Sequence, residues 1–309
     1  MDPLFKLSKR GKVPLITWPD PVGEGGTRRA LVQFCEHFDS ARSDVDMIAR
    51  HMQQAVDEGA PILKMGDTFD ACGGRYDPRR TPEGVRQEFV GPDYLDRLVN
   101  GYATFAAPYA RNIALMGRGN HELSIMKHCD TDLISRTAER LRQEGSPVIT
   151  TGIGTWLICR MYVTSTTKVS IPIWLFHDNA KVGGAAKGVA GALRRGAVLP
   201  EAAVVITGGG HNEWQTTVAR ERLNERTGRI YRDEQIHFST STYRHDWSPE
   251  GPKPSWHSQE GRNPRPIGGS WLELSINKLL PGEVVKDPSS GKARRLPMWK
   301  ICANVTRAK

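Results

Sequence analysis

The segment RALVQFC, residues 29–35, begins a succession of strand, helix and strand that decides the fold. Its apolar run is typical of a buried strand. DVDMIARHMQQAVDEG, residues 44–59, follows it with apolar residues at helical spacing before a closing glycine. APILKMGD, residues 60–67, again predicts a strand. This order indicates an α/β layered core.

The alternation of strands and helices continues before the second half becomes rich in strands. Residues 94–110 and 133–145 have helical periodicity, with a strand at 112–117 between them. Later strands are predicted at 155–163, 170–177, 202–209, 213–219, 235–243 and 269–276, and a single further helix around 186–195. We therefore expect an α/β fold in which two packed mixed β-sheets form a sandwich flanked by helices.

Pro- and Gly-rich stretches suggest how the chain is divided. A lead-in is expected at 1–28, one domain at 29–280, and a basic extension at 281–309. Within the domain, 246–266 is predicted as a long loop because its prolines and glycines break regular elements. Its Trp247, Trp256 and His257 either line a substrate face or belong to a structured surface loop.

Composition indicates a globular protein without a membrane segment. The chain has 309 residues, of which 38% are hydrophobic and 25% charged. No apolar stretch approaches the roughly 18 residues that cross a bilayer, and the first thirty residues lack the apolar core of a signal peptide. We expect a cytoplasmic location. The five cysteines form no CxxC pair, so reduced thiols are expected rather than a disulfide framework.

The charge of the chain favours a polyanionic partner. The formal net charge is +9, and phosphate neutralisation is the usual use of such an excess. Basic residues cluster at 75–80, 192–196, 220–229 and 292–300, although a single cluster of this kind is most often a solvated face. From these clusters, the candidates for contact with nucleic acid are Arg194, Arg195, Arg220 and Arg222. The oligomeric state is not predicted.

Metal-competent side chains recur where the predicted strands end. They are Asp67 in ILKMGD, Asn120 and His121 in IALMGRGNHE, His177 in IWLFHD, and His211 and Glu213 in VVITGGGHNE. Loops at the carboxyl ends of strands form the ligand crevice of layered α/β proteins. Oxygen and imidazole donors suit zinc, manganese or iron. The repetition of this pattern predicts a shared metal site.

These motifs resemble, in order and spacing, those of the calcineurin-like metallophosphoesterase superfamily, whose pattern is D-x-H, G-D, G-N-H-[DE], a later H and G-H-x-H. The resemblance covers about residues 30–277 and is closest to the phage and recombination-nuclease branch. It implies a four-layer αββα sandwich with two divalent metal ions. It also implies that Asp67, Asn120, His177 and His211 hold the second ion, with Asp67 as the bridge.

Two departures from the superfamily pattern fall on the first metal position. Cys35-Glu36-His37 stands where the superfamily has D-x-H, and Glu213 replaces the last histidine. If the superfamily's ligand positions are transferred to this chain, the first ion would have His37 and bridging Asp67, with Cys35 and Glu213 as unusual ligands. A thiolate suits softer ions such as zinc, whereas a buried Cys also commonly serves only as core filling. Strand alternation predicts that Glu36 points away from Cys35 and His37.

The resemblance implies hydrolysis of a phosphate ester. Two ions can bind a phosphoryl oxygen and activate water. His121 would be the catalytic residue that protonates the leaving oxygen or stabilises the transition state, or else it orients Asp67. The charge favours a phosphodiesterase or nuclease acting on nucleic acid. The alternatives are hydrolysis of a small nucleotide or phosphoprotein substrate, and a catalytically weak metal-bearing scaffold.

Overall fold

A computed structural model defines the architecture of the chain. It describes residues 2–73, 84–177, 189–226, 228–247, 256–259, 261, 263–278, 284–286, 293–295 and 299–309. The basic cluster at 75–80 lies outside these residues. The same is true of much of the predicted loop at 246–266.

The regular elements follow the predicted order through most of the chain. The described helices are α1 Val45–Asp57, α2 Tyr94–Ala106, α3 Asn120–Cys129, α4 Leu133–Gln143, α5 Val189–Val198 and α6 Trp256–Gln259. The described strands are β1 Lys6–Arg10, β2 Val13–Trp18, β3 Thr27–Gln33, β4 Ile62–Met65, β5 Ile113–Gly117, β6 Ile149–Thr150, β7 Gly154–Tyr162, β8 Lys168–His177, β9 Val204–Gly208, β10 Trp214–Asn224, β11 Arg229–Ser239, β12 Ser270–Lys278, β13 Val284–Lys286, β14 Ala293–Arg295 and β15 Trp299–Arg307. Short 3₁₀ turns occur at Gln87–Phe89 and Ala107–Asn112.

Two mixed sheets form the body of the molecule. One runs in the order β15-β12-β3-β4-β5-β6 and the other in the order β1-β2-β7-β8-β9-β11-β10. β3, β4, β5 and β6 are parallel neighbours, whereas β12 pairs antiparallel with both β3 and β15. In the other sheet β8 and β9 are parallel, and β7 and β8 are antiparallel.

Side-chain alternation along β3 separates two hydrophobic cores. Val32 packs into the core between the sheets, with Leu63, Ile173 and Leu272. The neighbouring Leu31 faces the opposite way, into the core between the six-stranded sheet and the helices. On the seven-stranded sheet, α5 contacts β10. The predicted fold class, two packed mixed sheets flanked by helices, is confirmed.

The helices begin where the sequence provides caps. Asp44 accepts a hydrogen bond from the Met47 amide at the start of α1, and Asp132 accepts one from the Ser135 amide at the start of α4. α1 then buries Ile48, Met52 and other residues of one face. None of the described helices combines the length and apolarity that a bilayer crossing requires.

Both segments outside the predicted domain contribute strands to the sheets. β1 and β2, from residues 1–28, extend one edge of the seven-stranded sheet through pairing of β2 with β7. β15, from the predicted extension, pairs along the full length of β12. The segments therefore belong to the body of the fold, although the domain limits at 29–280 stay a prediction. Helix α3, which carries Asn120 and His121, was not predicted.

Candidate metal centre

The carboxyl ends of strands from both sheets meet at one place. β3, β4 and β5 run parallel in one sheet and lead into residues 35–37, 67 and 120–121. β8 and β9 run parallel in the other, ending at His177 and just before His211. Parallel strands deliver their carboxyl ends to the same edge. Five residues expected to hold metal, Cys35, His37, Asp67, His177 and His211, consequently lie within the clusters described next.

The backbone is strained at four of these residues. Cys35, His37, Asp67 and His211 have φ values of 53°, 47°, 50° and 54°, in the left-handed region that non-glycine residues rarely adopt. Such conformations cost about 1–3 kcal/mol each and persist where the surrounding structure imposes them. Their concentration here shows that the fold orients these side chains at an energetic cost, as is typical of functional sites.

His37 and His211 face each other with their Nε2 atoms 3.3 Å apart. The outer nitrogen of each ring meets a carboxylate: His211 Nδ1 lies 2.7 Å from Asp246 Oδ2, and His37 Nδ1 lies 3.0 Å from Asp70 Oδ1. A carboxylate accepts hydrogen bonds, so His211 carries a proton on Nδ1 and turns Nε2 towards His37. His37 Nδ1 contacts Asp70 without a well-aligned hydrogen bond. Two ring nitrogens at this separation suit a proton or a metal cation between them.

Cys35, Asp67 and His177 form an adjoining, fully buried group. His177 Nε2 lies 3.5 Å from Cys35 Sγ and 3.2 Å from Asp67 Oδ2. Burial alone would raise the pKa of the Cys35 thiol, but the charges of His211 and His177 hold that pKa well below its usual range. Burial would likewise raise the pKa of Asp67, and His177 and His121 lower it. Both groups are therefore ionised, as metal ligands must be.

The separations between these donor atoms fit a metal ion. A tetrahedral zinc ion holds two nitrogens roughly 3.4 Å apart, and a sulfur and a nitrogen roughly 3.6 Å apart, given its usual bond lengths. The corresponding distances here are 3.3 Å between the two Nε2 atoms and 3.5 Å between Cys35 Sγ and His177 Nε2. Soft thiolate, imidazole and carboxylate donors together suit zinc or iron.

His121 and Glu122 fasten the start of α3 to the loop after β4. The His121 amide donates to Asp67 Oδ1, and the ring Nδ1 donates to the Asp70 carbonyl oxygen, which leaves Nε2 3.8 Å from Asp67 Oδ2. Glu122 accepts from the amides of Gly119, Asp67 and Phe69. Burial and the charge of Asp67 raise the pKa of Glu122 to about 7. His121 thus presents a ring nitrogen to the cluster.

Three residues around the cluster were missed by the sequence reasoning. Asp70 and Asp246 hold the outer nitrogens of the two histidines, and Arg244 links them, with its guanidinium 2.8 Å from Asp70 and 3.1 Å from Asp246. The only hint for Asp70 is its position three residues after Asp67 in GDTFD. Asp246 lies at the start of a predicted loop, where nothing in the sequence marks a histidine partner.

Of the two remaining predicted ligands, Glu213 is paired elsewhere and Asn120 lies at the start of α3. Glu213 forms a bidentate ion pair with Arg307 of β15, at 3.0 and 3.1 Å, so the structure does not bring its carboxylate into the cluster. Asn120 is the first residue of α3, directly after Gly119, which packs against Asp67. The ligand roles of both residues stay predictions.

Glu36 points away from the cluster, as predicted, but for a different reason. Its carboxylate accepts hydrogen bonds from Lys64 and Tyr102 in the helix-side core. Strand alternation does not explain this orientation, because β3 ends at Gln33. The left-handed turns at Cys35 and His37 produce it instead.

The predicted arginines gather around α5 and β10. Arg220 makes a bidentate pair with Asp233, and both Arg220 and Arg222 donate to the Pro200 carbonyl oxygen. Arg194 is exposed on α5, where Arg195 is half-buried. Arg220 lies six positions after Trp214 along β10, a span of roughly 20 Å. A small ligand at the histidines would not extend along β10 to Arg220 and Arg222.

An open cleft adjoins the cluster across residues 244–247. Arg244 and Asp246 face the histidines, whereas His245 and Trp247 line the cleft, whose volume is about 610 Å³. The remaining lining residues are Ala41, Arg42, Ser43, Asp44, Val45, Asp46 and Arg86. Trp247, which the sequence analysis proposed for a substrate face, is 38% exposed. The side chains of Trp256 and His257 lie outside the described part.

Comparison with known proteins gives similarity at the level of structure alone. No protein-family model matches the chain, and no curated protein does. A conserved protein of Streptococcus pneumoniae, described as a predicted phosphoesterase, aligns at 10% identity over 90% of this chain and 98% of its own, with a TM-score of 0.33. GAP50 of Plasmodium, described as the anchor in the inner membrane complex, aligns at 10% identity over 92% of this chain and 89% of its own, with a TM-score of 0.41.

A third similar structure is a putative 5'-nucleotidase of Staphylococcus aureus. It aligns at 9% identity over 82% of this chain and 51% of its own, with a TM-score of 0.38. Identities and TM-scores this low carry no argument about activity. The function of the chain therefore has to be argued from its own clustered side chains.

Proposed function

We propose that the chain is a metal-dependent phosphoester hydrolase with two divalent ions, acting on phosphodiesters of nucleic acid. The observation that carries this proposal is the pair of inward-facing imidazoles, His37 and His211, each backed by a carboxylate. The second group, Cys35, Asp67 and His177, lies beside that pair. Together they supply donors for two ions at one edge of the sandwich.

The ions and the protein have separate tasks in this proposal. Two divalent ions held by these ligands would neutralise charge on a phosphoryl group and lower the pKa of water. The protein holds the ligands in place: Asp246 fixes the ring orientation and the tautomer of His211, and Asp70 lies against His37 Nδ1. Glu122 ties the Asp67 loop to α3 by accepting hydrogen bonds from the amides of Asp67 and Phe69.

His121 is the residue we assign to the leaving group. Because its Nδ1 donates to the Asp70 carbonyl, a second proton on the imidazolium sits on Nε2, on the side of Asp67. From there it can pass to the oxygen released when water cleaves the phosphorus–oxygen bond. The side chain is 16% exposed, which leaves it accessible to a substrate.

Charge and shape support a nucleic-acid substrate. The formal net charge of +9 favours a polyanion. The cleft offers an aromatic face at Trp247 with Arg42 and Arg86 nearby, a combination suited to a base and its phosphate. Arg222 lies eight positions after Trp214 along β10, so a contribution from Arg222 requires an extended substrate.

The test is hydrolysis by the full chain loaded with zinc, iron, manganese or magnesium. Substrates are an aryl phosphodiester, the matching phosphomonoester, and single- and double-stranded DNA and RNA. We expect chelator-sensitive cleavage of the diester and of nucleic acid. Cleavage of the monoester alone would move the protein to the phosphatase alternative. Tight metal binding without turnover on any substrate would favour the scaffold alternative.

A further inference from the structure

The Cys35 thiol lies where two of the three groups of candidate ligands among the described residues overlap; the third group is His37, Asp70 and His121. The thiol belongs to the group with His37 and His211 and also to the group with Asp67 and His177, and within each group the donor atoms lie within 4.8 Å of one another. Among these donors, His177 Nε2 lies 3.5 Å from the sulfur. One sulfur atom is thus within reach of both metal positions.

The surrounding backbone holds this sulfur in place. The Cys35 amide donates to the Gly66 carbonyl oxygen, and the Cys35 carbonyl accepts from Thr242 Oγ1 and the Tyr243 amide. The Gly209 amide points at Sγ, 3.2 Å away. An amide donor directed at the sulfur favours the thiolate, which is the metal-binding form. Cys35 also packs in the core between the sheets, but packing alone does not require an amide directed at the sulfur.

The position of Cys35 changes what kind of ion the centre prefers. We infer that the Cys35 thiolate is a ligand shared by both metal positions, and that it makes the centre selective for zinc or ferrous iron over manganese and magnesium. Thiolates prefer the softer ions, whereas carboxylates and water suit manganese and magnesium. The inference rests on the proposed metal centre but not on the substrate.

Cobalt(II) provides a direct test, because a thiolate bound to cobalt gives a near-ultraviolet charge-transfer absorption. The full chain is titrated with cobalt while bound metal is counted by equilibrium dialysis. We expect the absorption to grow through two equivalents, since each ion contacts the same sulfur. Growth that stops at one equivalent overturns the shared role, and no absorption at all overturns thiolate ligation.

Four variants assign the absorption to its cysteine. Cys35→Asp and Cys35→Ser should both lose it, and Cys35→Asp should still bind two cobalt ions. Cys72→Ser is the nearby control, since that thiol lies 3.9 Å from His121 Nδ1, and Cys159→Ala is the core control. Both controls should keep the absorption. Its persistence in the Cys35 variants overturns the assignment.

Metal competition measures the selectivity. The ratio of zinc to manganese affinity should fall by at least about tenfold in Cys35→Asp, since even outer partners of metal ligands change affinity by that much. An unchanged ratio overturns the selectivity. The cobalt absorption and phosphoester hydrolysis are separate readouts: absorption without hydrolysis rejects only the proposed function, and hydrolysis without absorption rejects only the role of Cys35.

Discussion

Lys64 and Glu36 form an ion pair in the interior, with side chains 1% and 2% exposed. Lys64 also donates to Gln33, and Tyr102 donates to the second oxygen of Glu36. Because Glu36 lies between Cys35 and His37 in the chain, this network anchors the turn that presents both ligands. Burial lowers the pKa of Lys64, and Glu36 opposes that effect. The candidate metal centre therefore rests on a polar network in the helix-side core.

Replacement of Lys64 tests this anchor. Lys64→Met should reduce the free energy of unfolding by about 3–5 kcal/mol, because it leaves the Glu36 carboxylate buried without its cation. Urea denaturation measures the change. The double variant Lys64→Met/Glu36→Gln should recover most of the loss. Equal stability of the single variant and the parent would contradict the anchoring role.

Gly119 should not tolerate a side chain. A Cβ there would lie 2.1 Å from Asp67 Oδ1 and 2.4 Å from the Asp67 amide nitrogen, so Gly119→Ala must displace the loop that holds Asp67. We expect a loss of about 1–3 kcal/mol in unfolding free energy, together with weaker metal binding. Gly210→Ala is the matched control, since a Cβ there meets nothing within 4 Å. Comparable metal affinity in the two variants would refute the expectation.

Asp246 should control metal affinity without binding metal. Asp246→Asn weakens the partner of His211 Nδ1, and the affinity for zinc should fall by about 10–100-fold. Competition with a chromophoric chelator measures it. Asp132→Asn, at the cap of α4, should affect stability but leave zinc affinity unchanged. Unchanged zinc affinity in Asp246→Asn together with weaker affinity in Asp132→Asn would place the metal elsewhere.

His121 should be needed for turnover but not for metal. His121→Ala is expected to lower kcat by about 10²–10⁴-fold while metal content stays at the parent value. His128→Ala, on the exposed side of the same helix, is the control and should match the parent in both measurements. Loss of bound metal in His121→Ala would make His121 a ligand and remove its assignment as the proton donor.

The basic residues on α5 and β10 should contribute to nucleic-acid affinity through charge. Arg194→Gln and Arg222→Gln should each reduce the slope of log affinity against log salt concentration by roughly 0.7–0.9, measured by fluorescence anisotropy on DNA. Arg220→Gln should instead lower stability, because Arg220 is paired with Asp233. Salt-independent binding in the parent would remove nucleic acid as the proposed substrate.

The sequence by itself determined the layered α/β fold and most of its elements. The spacing of apolar residues in 29–67 and in the later strands depends only on neighbouring residues. Each strand or helix predicted from that spacing has a counterpart in the structure. The sequence also indicated that Asp67, His177 and His211 share a site, because residues after parallel strands gather at one edge. Segments without strong periodicity, such as β1, β15 and α3, were not recognised as parts of the sheets and helices.

Only the tertiary structure decided which polar groups meet. Asp70 and Asp246 became partners of His37 and His211 through contacts between residues up to 35 positions apart in the chain. Glu213 was paired with Arg307, 94 positions away, instead of with the cluster. Cys35 entered both ligand groups because its backbone takes a left-handed turn that only the packing around it can impose. Periodicity records which face a residue occupies, whereas a contact between distant residues depends on how the two sheets are joined.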